Sequence, residues 1–197
     1  MEKLKIEVSL LLEKIRESFH MKKENNVYLR PIEDKDIEGI FNSLHDEEGL
    51  YMTGTRKVFT IEEVRNAYER FNKDSTRHDF AICLVENDQM IGDLAINDID
   101  LDNRKAMFRI AIHSRDNYGK GYGTEAVRLA QKFTFEELRL NRLELQVYSH
   151  NPRGIRSYEK AGFKREGILR QSLFMKNQYS DEIIMSILYD DYVGGKL

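Results

Sequence analysis

Asn117-Tyr118-Gly119-Lys120-Gly121-Tyr122-Gly123-Thr124 places three glycines within five residues. An alternating apolar run at 107–112 precedes these residues, and apolar residues at helical spacing follow from about 124 to 138. The stretch therefore joins a strand to a helix. A helix begins with about four unpaired backbone N–H groups and a partial positive charge, and glycine lets an anion approach them. Lys120 adds positive charge, so the stretch predicts a phosphate or pyrophosphate site, with a glycine-rich turn that binds nothing as the alternative.

Composition and charge indicate one domain in a reducing compartment. The chain has 197 residues, 41% of them hydrophobic, which is enough for one substantial core. Its 31 basic and 34 acidic residues leave a net charge of −3, which argues against a general nucleic-acid-binding surface. Cys83 is the only cysteine, so no disulfide can form within the chain and a cytoplasmic location is expected. Because there is no apolar run of about 20 residues and no signal-peptide pattern, we expect no membrane association. No metal site is predicted.

The spacing of apolar residues predicts helices and strands along the whole chain. An amphipathic helix is predicted over residues 2–22, and its apolar stripe should pack on the domain or on a second subunit of a homodimer. Thr60 and Glu63 form a capping-box pattern that begins a helix ending near residue 72. Region 45–57 lacks periodicity and is expected to be a loop or broken helix able to cover a substrate. The other predicted helices span about 34–44, 124–138 and 152–161, and the predicted strands span 27–32, 80–86, 90–97, 105–113, 142–148, 163–173 and 183–189.

A second motif follows the fifth predicted strand and reads Asn151-Pro152-Arg153-Gly154-Ile155-Arg156-Ser157-Tyr158-Glu159-Lys160-Ala161-Gly162-Phe163. Asn at the cap, Pro in the first turn and Gly at the end delimit a short helix. With both motifs in this order, the chain resembles the GNAT acetyltransferase superfamily. In that family the cofactor loop reads Gln/Arg-x-x-Gly-x-Gly/Ala, and Gly121 and Gly123 take its glycine positions. The family's later motif is matched by Asn151, Tyr158, Glu159, Lys160, Gly162 and Phe163.

The resemblance covers residues 27–192 as one acetyltransferase domain, preceded by the helical extension 1–22. It implies an α+β fold of the GNAT type, with a central, mostly antiparallel seven-stranded mixed sheet and helices on both faces. It also implies an enzyme that moves the acetyl group of acetyl-CoA to a primary amine. Residues 167–170 and the hairpin at 178–181 resemble the branch that holds ribosomal-protein N-terminal acetyltransferases and polyamine acetyltransferases. A protein N-terminal amine is the expected acceptor, and a polyamine such as spermidine is the alternative acceptor. A second alternative is that the protein is a non-catalytic module that binds acyl-CoA.

The resemblance assigns roles to individual residues of both motifs. Cofactor binding falls to Tyr118, Gly119, Lys120, Gly121, Tyr122, Gly123 and Thr124, with the pyrophosphate on the backbone amides of residues 119–124. Tyr118 stands where Gln or Arg is usual. Because the loop binds the cofactor mainly through its backbone amides, this difference should affect cofactor binding only slightly. The pantetheine arm is expected alongside Ala111, Ile112 and His113, and Asn151 is expected to bond that arm as well as to cap its helix.

Tyr158 is the expected catalytic acid. A phenol with a pKa of about 10 can donate to a thiolate whose conjugate acid titrates at about 8.5. Packing as a core aromatic side chain is the alternative for this residue.

The base and the acceptor pocket are left open by the sequence. A water chain and three side chains near the central strands are candidates for the base: Asp93, Asp98 and His113. A carboxylate would serve equally to recognise a cationic substrate. Three basic residues of the short helix are expected to be solvated, with contact to the cofactor's phosphates as the alternative: Arg153, Arg156 and Lys160. Three tyrosines are candidates for an acceptor pocket or else exposed loop aromatics: Tyr51, Tyr118 and Tyr122.

Overall fold

The computed structural model describes residues 26–195, so the helix predicted over residues 2–22 lies outside the described residues. Within them the strands are β1 (Val27–Pro31), β2 (His78–Leu84), β3 (Met90–Asp100), β4 (Lys105–Ile112), β5 (Arg142–Tyr148), β6 (Lys164–Met175) and β7 (Gln178–Leu188). The α-helices are α1 (Ile37–Ser43), α2 (Glu47–Thr53), α3 (Ile61–Phe71), α4 (Tyr122–Lys132), α5 (Pro152–Lys160) and α6 (Tyr189–Gly194). Short 3₁₀ turns precede α1 and follow β4, and a π-helical turn (Phe133–Glu137) ends α4.

The strands form one seven-stranded sheet in the order β1-β2-β3-β4-β5-β7-β6. Every neighbouring pair is antiparallel except β4 and β5, which run parallel. These two strands pair only from Lys105 to Met107 and from Arg142 to Glu144. Since β4 continues to Ile112 and β5 to Tyr148, the two strands separate beyond the paired residues and the sheet opens in its middle. The expected mixed, mostly antiparallel sheet of the GNAT type is confirmed.

Strand β2 shows how the sheet divides the core into two layers. Successive side chains of a strand point to opposite faces. Phe80, Ile82 and Leu84 therefore lie in a large cluster that includes the buried faces of α4 and α5, while Ala81 and Cys83 lie in a second cluster with α1 and α3. Helices thus cover both faces, as the resemblance implies. No helix among residues 26–195 has the length and apolar character needed to cross a membrane.

Helix starts follow the predicted capping chemistry. The Thr60 hydroxyl accepts from the Glu63 N–H, and the Glu63 carboxylate accepts from the Thr60 N–H at 2.9 Å, so the capping box of α3 is present. Asn151 caps α5 by accepting from the N–H of Gly154 at 2.9 Å. These local bonds satisfy donors that a helix start leaves unpaired.

Region 45–57 departs most from its predicted structure, because it contains the regular helix α2. Asp46 caps this helix by accepting from the N–H of Gly49 at 2.7 Å, and Gly54 ends it with a left-handed φ of 68°. Both signals are present in the sequence, but seven residues are too few for a clear apolar period. Helix α6 (Tyr189–Gly194) was not predicted either, and the other main differences are at element ends, where β3, β6 and β7 extend further than predicted.

Candidate active site

A cavity of about 340 Å³ lies beside the free end of β4, between the glycine-rich residues 117–124, α5 and α2. The structure brings the two sequence motifs together here. The predicted site residues that line the cavity are Ala111, Ile112, Tyr118, Gly119, Gly121, Tyr122, Gly123, Thr124, Asn151 and Tyr158. His113 and Lys120 are not among its lining residues. The Lys120 ammonium instead lies 5.9 Å from the centre of the Tyr122 ring.

Residues 119–124 present a run of free backbone donors to the cavity. None of their N–H groups makes a hydrogen bond within the described part of the chain, and the first bonded amide of α4 is that of Glu125, which donates to the Gly121 carbonyl at 3.0 Å. Gly119 and Gly121 have φ values of 75° and 88°, which favour glycine. A Cβ atom built at either residue would meet nothing within 4 Å. The loop therefore needs glycine for its backbone conformation and leaves open space in front of its amides.

Two contacts fix the start of α4 against its surroundings. The Thr124 and Ser157 hydroxyls lie 2.9 Å apart and join α4 to α5. Glu125 accepts from the backbone N–H of Val27 at 3.0 Å, so its carboxylate points to β1. The first turn of α4 is consequently held in place while its amides remain available.

Tyr158 is buried beneath the cavity and reaches it with its polar end. Its ring is 9% exposed and lies 6.0 Å from the ring of Phe163. Its hydroxyl makes no hydrogen bond among the described residues, although buried polar groups are usually paired. Burial raises the pKa of Tyr158 to about 12, so the hydroxyl keeps its proton at neutral pH.

Helix α2 forms a wall of the cavity that the sequence did not reveal as a helix. Gly49, Met52 and Thr53 line the cavity. Glu48 joins this wall to the opposite side, because its carboxylate pairs with Arg115 at 2.7 Å and also with Arg153. Glu48 was missed at the sequence level, since nothing local distinguishes it from the acidic residues beside it.

The basic residues of α5 are exposed, as expected, and also border the cavity. Arg153, Arg156 and Lys160 all line it, so contact with a bound phosphate is open to them as well. The Arg153 guanidinium also lies 4.2 Å from the centre of the Tyr118 ring. The Tyr118 hydroxyl donates to the Ile112 carbonyl at 3.2 Å, which ties the glycine-rich loop to the end of β4.

The three candidate bases occupy two different places. Asp98 lies near the β3–β4 turn, at the end of the sheet opposite Ile112, and accepts from the Asn97 side chain at 2.8 Å. Asp93 pairs with Ala111 across β3 and β4, and its carboxylate lies 2.6 Å from His113 Nε2. Burial opposes ionisation of Asp93, but the bond to His113 and the charges of Arg109 and Arg77 outweigh it, so the pKa of Asp93 is lowered. Only this pair lies at the cavity end of β4.

Among residues 26–195 there is no group of three or more His, Cys, Asp or Glu side chains arranged to hold a metal ion.

Comparisons with known proteins place the chain among acetyltransferases. A family model described as an acetyltransferase (GNAT) domain matches residues 26–164. The probable N-acetyltransferase YjcK of Bacillus subtilis is 32% identical over 179 residues, which cover 87% of this chain and 98% of that protein. Spermidine N(1)-acetyltransferase of Escherichia coli is 29% identical, over 88% of this chain and 91% of that protein. The solved structure of Vibrio cholerae spermidine N-acetyltransferase in complex with CoA and spermine is 25% identical, with a TM-score of 0.79 over 85% of this chain and 98% of that chain.

The family match includes every residue named above as lining the cavity. Residues 26–164 contain α2, the free end of β4, the unpaired amides 119–124 and the second motif from Asn151 to Phe163. Sequence similarity and fold therefore agree on the same part of the molecule. The chain belongs to the GNAT family and is an acetyl-CoA-dependent N-acetyltransferase.

Proposed function

We propose that this enzyme acetylates a primary amine of a small polyamine of the spermidine class. The relatives above whose names give an acceptor are spermidine acetyltransferases, and they support this alternative rather than the protein N-terminus expected from the sequence. The observation that carries the proposal is that the glycine-rich loop, Tyr158 and α2 line one cavity. An anion site, a proton donor and a wall for the acceptor amine are therefore close together.

The glycine-rich loop fits the diphosphate of coenzyme A. Consecutive unpaired N–H groups at a helix start bind anions, and the open space in front of Gly119 and Gly121 leaves room for one. Arg153, Arg156 and Lys160 line the same cavity and bring positive charge to it. We therefore assign the diphosphate to the amides of 119–124 and the further phosphate of the coenzyme to these basic side chains.

The free end of β4 fits the pantetheine arm. Beyond Met107, β4 pairs with no strand of residues 26–195 on its β5 side, so backbone groups there are open to amide pairing. Ala111 and Ile112 line the cavity at this edge. The Ile112 carbonyl already accepts from Tyr118, and the His113 N–H donates to the Ile91 carbonyl at 2.9 Å. We assign the arm to Ala111 and Ile112, because these two residues line the cavity, and no longer to His113, which does not line it and whose N–H is already bonded. The Nδ2 atom of Asn151 remains available to the arm, because only its Oδ1 atom caps α5.

Tyr158 fits the role of acid toward the departing sulfur. Its unpaired hydroxyl reaches the cavity from a buried position, and a pKa of about 12 keeps it protonated. The same burial that raises the pKa of the phenol also raises that of a thiol nearby, because burial disfavours both anions. The two groups therefore stay close enough in acidity for the phenol to donate as the thiolate forms.

The outer end of α2 offers contacts for a cationic acceptor. The Tyr51 ring stacks on His150 with a centroid separation of 4.2 Å, and the Lys176 ammonium lies 4.9 Å from the centre of the Tyr51 ring. This contact shows that the ring face is accessible to an ammonium group, the charge that each amine of a polyamine carries. A polyamine would replace Lys176 at Tyr51 while its reacting amine enters the cavity.

An acceptor panel tests the proposal. The full-length enzyme is incubated with acetyl-CoA and, separately, spermidine, spermine, a peptide with a free N-terminus and an amino sugar. Thiol release gives kcat/KM for each acceptor, and mass spectrometry confirms the acetylated product. We expect the polyamines to exceed the peptide and the amino sugar by at least about tenfold, which corresponds to about 1.4 kcal/mol. A higher kcat/KM for the peptide would overturn the polyamine assignment and restore the protein N-terminus.

A further inference from the structure

A second group of polar residues lies on the α1–α3 face of the sheet, at the edge of the cavity. His113 follows the lining residue Ile112, and strand alternation places its side chain on the same face as that of Ala111. The side chains of His113 and Asp93 are 11% and 9% exposed, and His113 Nε2 lies 2.6 Å from Asp93 Oδ1. The pair is therefore largely shielded from solvent and tightly bonded.

The bonding of this pair determines which nitrogen of His113 can accept a proton. A carboxylate accepts hydrogen bonds, so the network assigns the proton of the neutral imidazole to Nε2. Nδ1 then carries the lone pair, and it makes no hydrogen bond within the part of the chain that the structure describes. An Asp-oriented imidazole with one free nitrogen is the arrangement needed for a general base.

The charges around the pair keep Asp93 ionised. Asp93 Oδ2 lies 3.9 Å from Arg109 on β4, and Arg109 lies 3.8 Å from Asp79 on β2. Asp79 in turn pairs with Arg77 at 2.6 Å. Tyr68 of α3 faces the same group, and burial raises the pKa of its hydroxyl, so it remains uncharged. The two arginines and two aspartates balance, and a proton on His113 would face the Asp93 carboxylate directly.

We propose that His113 is the general base that takes the proton from the acceptor's ammonium group, with Asp93 as the residue that positions it. The proposal rests on the acetyltransferase activity and holds for any primary amine that the enzyme accepts. Because His113 does not line the cavity, the proton reaches Nδ1 through one water molecule. Asp98, at the other end of β3, takes no part.

The proton balance assigns one proton to each of two side chains. An amine with a pKa of about 10 is almost wholly protonated at pH 7, so one proton must leave before the nitrogen can attack. That proton passes to His113 Nδ1 and then to solvent. The C–N bond forms and the C–S bond breaks, and Tyr158 gives its proton to the sulfur. The second proton of the nitrogen restores Tyr158, so the products are the amide, the free thiol and one proton in solution.

The test compares pH profiles of variants at saturating acetyl-CoA, with the amine that the wild-type enzyme acetylates fastest. His113→Gln keeps the size and neutrality of the side chain, and we expect kcat/KM at pH 7 to fall about 100-fold, the lower range for a general base. Imidazole added to His113→Ala should restore part of the rate. In Asp93→Asn we expect kcat/KM to fall as well, because the imidazole loses the carboxylate that orients it, and Asp93→Glu, which keeps a carboxylate, should restore part of the rate. His45→Gln is the matched control, because it loses a 2.9 Å contact between Nδ1 and the Phe41 carbonyl and a ring contact with Phe41, and His45 does not line the cavity.

Three further measurements distinguish the loss of a base from titration of the acceptor and from a folding defect. The profile is repeated with a second amine of lower pKa, because a limb caused by the acceptor moves with its pKa whereas a limb caused by His113 does not. Calorimetric CoA binding and melting curves identify variants that fail to fold. A folded His113→Gln that retains the wild-type rate and acidic limb would overturn the proposal. If spermidine is not acetylated but another amine is, only the polyamine assignment fails.

Discussion

Replacing Tyr158 with phenylalanine removes one hydroxyl from the cavity and leaves the ring in place. The ring is 9% exposed and packs near Phe163, so its burial is retained in the variant. The hydroxyl bonds to no described residue, so its loss breaks no hydrogen bond of the folded protein. We therefore expect the free energy of unfolding to change by less than about 1 kcal/mol, the usual contribution of one hydrogen bond.

The expected effect of Tyr158→Phe is on the maximal rate. A positioned general acid contributes about 100- to 10,000-fold, so kcat should fall by a factor in this range, or about 3–5 kcal/mol of activation free energy. The pH profile follows from the pKa of about 12. The protonated phenol is the active form, so this group causes no loss of rate until the pH approaches 12, whereas an ordinary tyrosine would begin to lose its proton near pH 10.

Thiol-release kinetics at saturating substrates give kcat, and titration calorimetry gives the Kd of CoA. Tyr192→Phe is the matched control, because its hydroxyl donates to Glu136 at 2.6 Å and Tyr192 does not line the cavity. We expect the control to keep the wild-type kcat and both variants to keep the wild-type Kd within about threefold, or about 0.7 kcal/mol. If Tyr158→Phe turned over as fast as the control, the phenol would have no role in proton transfer.

Three other changes probe the loop, the basic lining and a surface ion pair. Gly121→Ala should lower the free energy of unfolding by about 1–2 kcal/mol, because Gly121 has a left-handed φ, and should weaken CoA binding about tenfold. Gly39→Ala in helix α1 is the control, and it should raise the free energy of unfolding by about 0.5–1 kcal/mol and leave CoA binding unchanged. Arg153→Met should raise the KM for acetyl-CoA several-fold at low salt and less at high salt, as measured by initial rates at two ionic strengths. The Arg142 and Ser186 hydrogen bonds lower the pKa of Glu166 to about 2 from 4.5, so its stabilisation is present above pH 4.5 and lost as the pH falls toward 2. Because the Glu166 side chain is 40% exposed, Glu166→Gln should lower the free energy of unfolding at pH 7 by about 1 kcal/mol or less. Melting curves should therefore show a higher melting temperature for the wild type at pH 7 and no difference near pH 2.

Local sequence signals predicted most elements of the fold. Strand β5 and the caps of α3 and α5 agree with the structure because their determinants lie within a few residues of one another. The same holds for the turn between β6 and β7, where Lys176 and Asn177 adopt positive φ. The glycine-rich residues and the second motif were likewise visible as sequence, and the resemblance they carried led to the correct family.

Helix α2 shows where local signals were insufficient. Its cap and its terminal glycine are present in the sequence, but its seven residues bury no side chain completely. What holds the helix is contact with distant elements. Glu48 pairs with Arg115 and Arg153, and Tyr51 stacks on His150. Such pairings depend on the folded chain and leave no periodic pattern.

The sequence by itself determined the order of the strands, most of the helices, the position of the glycine-rich loop and the family, because each depends on neighbouring residues or on motifs of fixed spacing. The tertiary structure alone decided that Asp93 meets His113 while Asp98 does not, and that the basic residues of α5 line the cavity. The physical reason lies in the sheet. Antiparallel register sets which residues of β3 and β4 face each other, and the separation of β4 from β5 creates the space that the side chains of α2 and α5 enclose.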